Sequence, residues 1–220
     1  MSTSDRQHSM PPVAAHPRRG VRVIVVDDHA AVREGIRAML ASEPDLDPIA
    51  VTATAGDALA LAERHRPDVM VLDYHLPDED GLSLCLRLKS TDDPPAALIY
   101  SAFADHHLVA LAIIAGADAL MSKATDPDEL CDVVRALAAG TARMPTVVAM
   151  AMNSIASRLD TEDLPILGML ANRTPPAQIA ATLRMDEGWL TTRRWAMLSR
   201  LAGGSARRRS AREPHLGDRP

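Results

Sequence analysis

The sequence is poor in aromatic residues. Phe, Tyr and Trp make up 2% of its 220 residues, although 47% are hydrophobic. A core must therefore be packed from Ala, Val, Leu, Ile and Met. Cysteine is nearly absent: Cys85 and Cys131 stand alone and in no CxxC pair, which argues against a disulfide framework or a zinc site and leaves both as core filler. No apolar run approaches the roughly 18–20 residues that cross a bilayer, and the first twenty residues lack the apolar centre of a secretory signal. The expectation is a cytoplasmic protein with no membrane contact. A glycine-rich phosphate loop, a nucleophile–base pair and a cofactor motif are missing too, so an enzyme acting on a separate substrate is not expected. Lysine is scarce as well, with only Lys89 and Lys123 among 24 basic residues.

The net charge of -5 conceals an uneven distribution. Residues 21 to 157 hold 10 basic and 21 acidic side chains, whereas 158 to 220 hold 11 and 7. An acidic front followed by a basic back fits a regulatory domain joined to a part that meets a polyanion, or more simply a solvated basic tail.

Residues 1–20 show no apolar period and read as a disordered leader. From Val21 onward a strand that is apolar apart from Arg22, Val21 to Val26, alternates with a helical pattern from Ala30 to Ala41. The alternation recurs, with strands near Ile49 to Thr52, Val69 to Leu72, Ala97 to Tyr100 and Ala119 to Met121. Strands made of unbroken Val/Ile/Leu runs are covered on both faces, which predicts an α/β domain over 21–139 with a doubly wound, five-stranded parallel sheet in the order 2-1-3-4-5. Residues 140–157 read as a linker that turns helical near Val147. A small all-α unit follows over 158–201, and 202–220, with its Arg207-Arg208-Arg209 run, reads as a disordered basic tail.

In a sheet of that order the ends of strands one and three are neighbours, and ligands bind at the carboxyl ends of strands. Asp27 and Asp28 end the first strand and Asp73 the third. Three like charges packed together repel, so the cluster calls for a cation, and hard oxygen ligands suit magnesium. Ser101 and Lys123 follow the fourth and fifth strands, a hydroxyl and a compact ammonium suited to phosphoryl oxygens. The sole phenylalanine, Phe103, and His75 are expected on the path that water would take to such a group.

These residues, as Val25-Val26-Asp27-Asp28-His29, Val71-Leu72-Asp73, Leu76-Pro77 with Gly81, Tyr100-Ser101-Ala102 and Met121-Ser122-Lys123, resemble the flavodoxin-like receiver domain of bacterial two-component response regulators. The resemblance implies that Asp73 is the phosphorylated carboxylate and that Asp28 binds Mg2+ directly and Asp27 mainly through water. It further implies that the His75 carbonyl completes the ligands, that Ser101 and Lys123 hold the acylphosphate oxygens, and that the phosphodonor is a sensor histidine kinase or a small phosphodonor. The family commonly places an aromatic switch residue three before the lysine; here that position is Leu120.

Residues 159 to 201 resemble the LuxR-type helix-turn-helix of NarL/FixJ response regulators, through Ala177-Gln178-Ile179-Ala180-Ala181-Thr182-Leu183 as scaffold helix and Asp186 as the cap of the next helix. Arg184 stands at the usual turn glycine and Arg194 at a Val-like core position. The resemblance implies a DNA-binding transcriptional regulator, with homodimerisation possible in such a family and Thr191, Thr192, Arg193, Trp195 and Arg200 as candidate DNA-contact residues. The helix carries no Lys or Arg at the centre of its outward face, and an outward Trp195 suits a protein contact. The alternative is therefore a degenerate helix-turn-helix acting through protein–protein contacts.

Overall fold

Continuous runs of Val, Ile and Leu become strands buried from both sides. In the structure, a computed structural model that describes residues 20–142, 144 and 149–210, β1 (Val21–Val26) is followed by α1 (Ala30–Ala41), β2 (Leu46–Thr52), α2 (Ala55–His65) and β3 (Val69–Asp73). Then come α3 (Gly81–Leu88), β4 (Ala96–Ser101), α4 (His106–Ala115), β5 (Ala119–Ser122) and α5 (Pro127–Ala138). The strands are parallel in the order β2-β1-β3-β4-β5, as the alternation predicts. β2 starts earlier than its apolar run because it is an edge strand, where Pro48 removes no needed ladder bond; the register shifts beside it, between Val23 and Ile24.

Helix starts are set by side chains that accept from otherwise orphaned N–H groups. Thr54 caps α2 through Asp57 N–H, Asp80 caps α3 through Leu82 and Ser83 N–H, Asp105 caps α4 and Asp126 caps α5. These caps lie on the loops at the carboxyl edge of the sheet, so the same residues that begin the helices shape the rim of the acidic site.

Within the stretch read as a linker that turns helical near Val147, α6 (Ala149–Ala156) is helical and lies against α4. It leads into α7 (Asp163–Ala171), α8 (Pro176–Leu183) and α9 (Glu187–Ser210). Asp186 accepts from Trp189 N–H at 2.7 Å, the expected cap. Arg184 occupies the left-handed region at φ 57 that the turn glycine would occupy, and Arg66 and Arg173 do the same at other helix ends. α9 runs nine residues beyond Leu201, where the apolar stripe ends, so helix extends into the segment read as a disordered tail. The leader, apart from Gly20, and the last ten residues lie outside the described residues.

Two cores flank the sheet. One joins Val23, Val25, Val71 and Leu98 to the α1 and α5 side. The other joins Ile24, Met70, Leu72 and Ile99 to α2, α3 and α4, and continues without a break into Ile166, Leu190, Met197 and Leu201 of the C-terminal unit. α4 sits between the two units. It is apolar around nearly its whole circumference because it packs on the sheet on one side and on α6, α7 and α9 on the other.

Candidate functional site

The pairing of β3 with β1 and β4 brings the carboxyl ends of three strands together. Val26 pairs with Leu72, so Asp27 and Asp73 leave adjacent strands at the same level; Asp73 pairs with Tyr100, which puts Ser101 one residue further along the neighbouring strand. Ser101 pairs with Ser122 of β5, and Lys123 follows directly. Five sequence-predicted residues thus share one rim. Asp27, Asp73 and Ser101 are buried there, while Asp28 is open to solvent.

Lys123 Nζ lies 2.5 Å from Asp27 Oδ2 and 2.9 Å from Asp73 Oδ2. Burial disfavours the ammonium, but hydrogen bonds to Asp27 and Asp73 outweigh it and hold the lysine pKa above its ordinary value. His29 is a neighbour to which sequence reasoning assigned no role: its backbone N–H donates to Asp27 Oδ1 at 2.8 Å and its Nδ1 lies 2.6 Å from Asp28 Oδ1. Ligand atoms of Asp27, Asp28, His29 and Asp73 all fall within 4.8 Å of one another. The adjacency of His29 to the acid pair was the signal for it.

Three carboxylates against one ammonium leave about two negative charges uncompensated in a partly buried oxygen-rich pocket. That donor set fits a hard divalent cation. His75 lies in the β3–α3 loop, exposed, in an antiparallel bridge with Asp80. Phe103 is 70% exposed, and its backbone N–H donates to Ser101 Oγ at 3.2 Å, which ties the residue to the rim. Leu120 is buried in the larger core, packed as an aliphatic filler.

The loop that carries Asp73 is held by a close approach. Gly81 donates its N–H to Tyr74 O at 2.9 Å, and a Cβ at this position would meet the Asp73 carbonyl oxygen at 2.0 Å. Both atoms belong to backbone and neither can rotate away. Gly81→Ala should therefore lower stability by roughly 1–3 kcal/mol and displace the Asp73 carbonyl. Thermal denaturation reads the first effect and the rate of phosphoryl uptake the second; a variant that melts and reacts like the parent would refute the argument.

The second candidate constellation is changed more by the structure. Arg193 donates through Nε to the fully buried Asp163 at 2.9 Å and through Nη2 at 2.5 Å, and Arg200 Nη1 donates to the other oxygen of Asp163 at 3.1 Å. Arg200 also lies 2.7 Å from Asp160. Both arginines are thus paired with acids. Arg193 further stacks over the Trp189 ring at 5.2 Å. Trp195, expected outward, is half buried against the shared core, because α9 is itself packed on the first unit. Thr191 is half buried; Thr192 is exposed and bonds Gly188 O.

Residues 23–135 match the response regulator receiver domain family. The chain is 30% identical over 177 residues to the DNA-binding transcriptional activator DevR/DosR of Mycobacterium tuberculosis, covering 76% of this chain and 82% of that protein. It is 29% identical over 129 residues to the transcriptional regulatory protein LiaR of Bacillus subtilis, 59% of this chain and 61% of that one. Among solved structures, a LuxR-family two-component response regulator from Aurantimonas sp. SI85-9A1 superposes with TM-score 0.54 at 30% identity, over 63% of this chain and 96% of that chain. The receiver domain of a response regulator NarL from Mycobacterium tuberculosis does so with TM-score 0.54 at 31% identity, over 56% and 98%.

Proposed function

Because this chain belongs to the response regulators, with a receiver domain and a C-terminal helical unit of NarL/LuxR type, we propose that phosphorylation of Asp73 controls DNA binding by α8 and α9. The observation that carries the first half is the convergence of Asp27, Asp28, Asp73, Ser101 and Lys123 at one rim. Asp73 Oδ attacks the phosphorus of a histidine-kinase phosphohistidine or of a small phosphodonor, and the imidazole or carboxylate departs. Asp27 and Asp28, with Asp73 and the His75 carbonyl, would hold Mg2+, which supplies neutralising charge for phosphoryl transfer. Lys123, already on Asp73, pairs with a phosphoryl oxygen once the acceptor is phosphorylated, and the Ser101 hydroxyl donates to another.

DNA is the proposed output partner, since the similar DevR/DosR is a DNA-binding transcriptional activator. Thr192 and Arg200 are the exposed members of the candidate contact set on α9, with Thr191 and Trp195 on the half-buried side. Arg193 and Arg200 contribute phosphate contacts only if they exchange Asp163 and Asp160 for the backbone of DNA. The Arg207 to Arg209 run is then the chief basic element, and most affinity is non-specific.

The experiment is DNA binding by the phosphorylated full-length protein as a function of salt. Each phosphate contact contributes about 0.9 to the slope of log affinity against log salt, so Ala at 207, 208 and 209 should flatten the slope by roughly 2–3 units on any sequence. The pairing of Arg193 and Arg200 with acids favours a second reading, in which the unit acts on a protein. Salt-insensitive or absent DNA binding by the phosphorylated protein would select it.

A further inference from the structure

A cleft of about 610 Å³ opens where the corner between α4 and β5 meets the turn between α7 and α8, with the end of α3 and the body of α9 closing its sides. Arg194, from α9, forms part of its wall. Only 2% of this residue is exposed, and its Nε donates to the carbonyl of Ile114 at 2.7 Å, across the boundary between the two units. One bond satisfies one of five guanidinium N–H donors. No carboxylate among the described residues pairs with it, and Nη1 and Nη2 make no hydrogen bond to those residues. Every fully enclosed polar side-chain atom among the described residues has a partner, and Arg194 lines the cleft, so its wall is where these two nitrogens can meet a ligand. Gly116 makes room for them: a Cβ there would lie 2.5 Å from Nη2. Burial lowers the pKa of the guanidinium.

The other charges of the cleft do not supply it. Lys89 and Asp118 cancel, 2.5 Å apart, and Asp118 also accepts from Ala97 N–H. Arg173, at the α7–α8 turn, donates through Nη1 to Ala142 O and pairs with no acid among the described residues. Two arginines therefore line one cleft with no net counter-charge, while Ile113, Met144 and Leu170 give it apolar walls. The volume lies within the roughly 300–1,000 Å³ of small-molecule sites, and planar guanidinium donors match carboxylate and phosphate oxygens better than a halide.

We propose that this cleft binds a small organic anion, a carboxylate or phosphate head on a compact apolar body, with the head on Arg194 and Arg173 and the body against Ile113, Met144 and Leu170. Arg194 belongs to α9, whereas Ile113 and Gly116 belong to the first unit, so a bound anion fastens the two units together. The inference is independent of whether α9 reads DNA.

Calorimetric titration of the full-length protein with phenyl phosphate, benzoate and neutral benzamide tests it. Saturable binding of one equivalent is expected for at least one charged probe, the tighter one naming the head group, with none for benzamide. Arg194→Gln and the exposed Arg173→Gln should each weaken that binding about tenfold or more, as loss of a charge-assisted hydrogen bond requires. If Arg194→Gln loosens the contact between the units, as thermal denaturation would reveal, Arg173→Gln decides. Failure of both charged probes to bind overturns the proposal, as does equal affinity for benzamide or undiminished binding in Arg173→Gln. Binding lost in Lys123→Ala but kept in both arginine variants would assign the anion to the acidic rim, and also overturns it.

Discussion

Asp73→Asn should abolish phosphoryl uptake. The parent protein, incubated with magnesium and a small phosphodonor, should gain one labile phosphoryl group by intact-mass spectrometry, and the variant none. The asparagine keeps the size of the side chain but replaces the attacking oxygen with an amide. It also removes one of the two carboxylates that hold Lys123, which leaves the ammonium on Asp27 alone. Lys123→Ala should remain modifiable at Asp73 but react roughly 10²–10³-fold more slowly, the usual cost of deleting one preorganised charge partner of a transferring oxyanion. Uptake that persists in Asp73→Asn would move the acceptor elsewhere, and equal rates with and without Lys123 would remove the lysine from the mechanism.

The second large effect is on stability. Asp163 is fully buried and is held by Arg193 and Arg200 at once, besides accepting from Asp160 N–H at 3.3 Å. It opens α7 while both arginines come from α9, so this one carboxylate ties the first helix of the output unit to the last. Removing one partner of a buried pair costs about 3–5 kcal/mol when the other is left buried and charged. Arg200 is more than a third exposed and rehydrates easily, which reduces the expectation for Asp163→Ala to roughly 2–4 kcal/mol. For a chain of this size that lowers the melting temperature by about 5–15 °C. A change below about 2 °C would mean that the cluster contributes little. The same variant frees two arginines, so if α9 meets DNA its salt slope should steepen even as the unit loses stability.

The contrast between the two halves has a physical origin. Strand runs such as Val23 to Val26 and Val69 to Leu72 are legible because burial on both faces demands unbroken apolar residues, and parallel connections admit few topologies. Once the order is known, the strand-end residues Asp27, Asp73, Ser101 and Lys123 must converge, since backbone pairing carries them there whatever their side chains prefer. Caps such as Asp186 are legible for the same reason of locality: the acceptor lies three residues from its donor.

What the sequence could not determine depends on how helices pack. Arg193 looks free on a helical wheel, yet its partner Asp163 lies 30 residues away on another helix. Arg194 finds its acceptor 80 residues away, on the other unit. Trp195 faces away from the apolar stripe of its own helix and still meets a core, because the core belongs partly to α4. One local signal did announce that contact. The His106–Ala115 helix is apolar on nearly all sides, which a surface helix of a receiver standing alone would not be. Sequence periodicity reports which face of an element is buried; charge pairing and burial across units depend on crossing geometry, which only the tertiary structure decides.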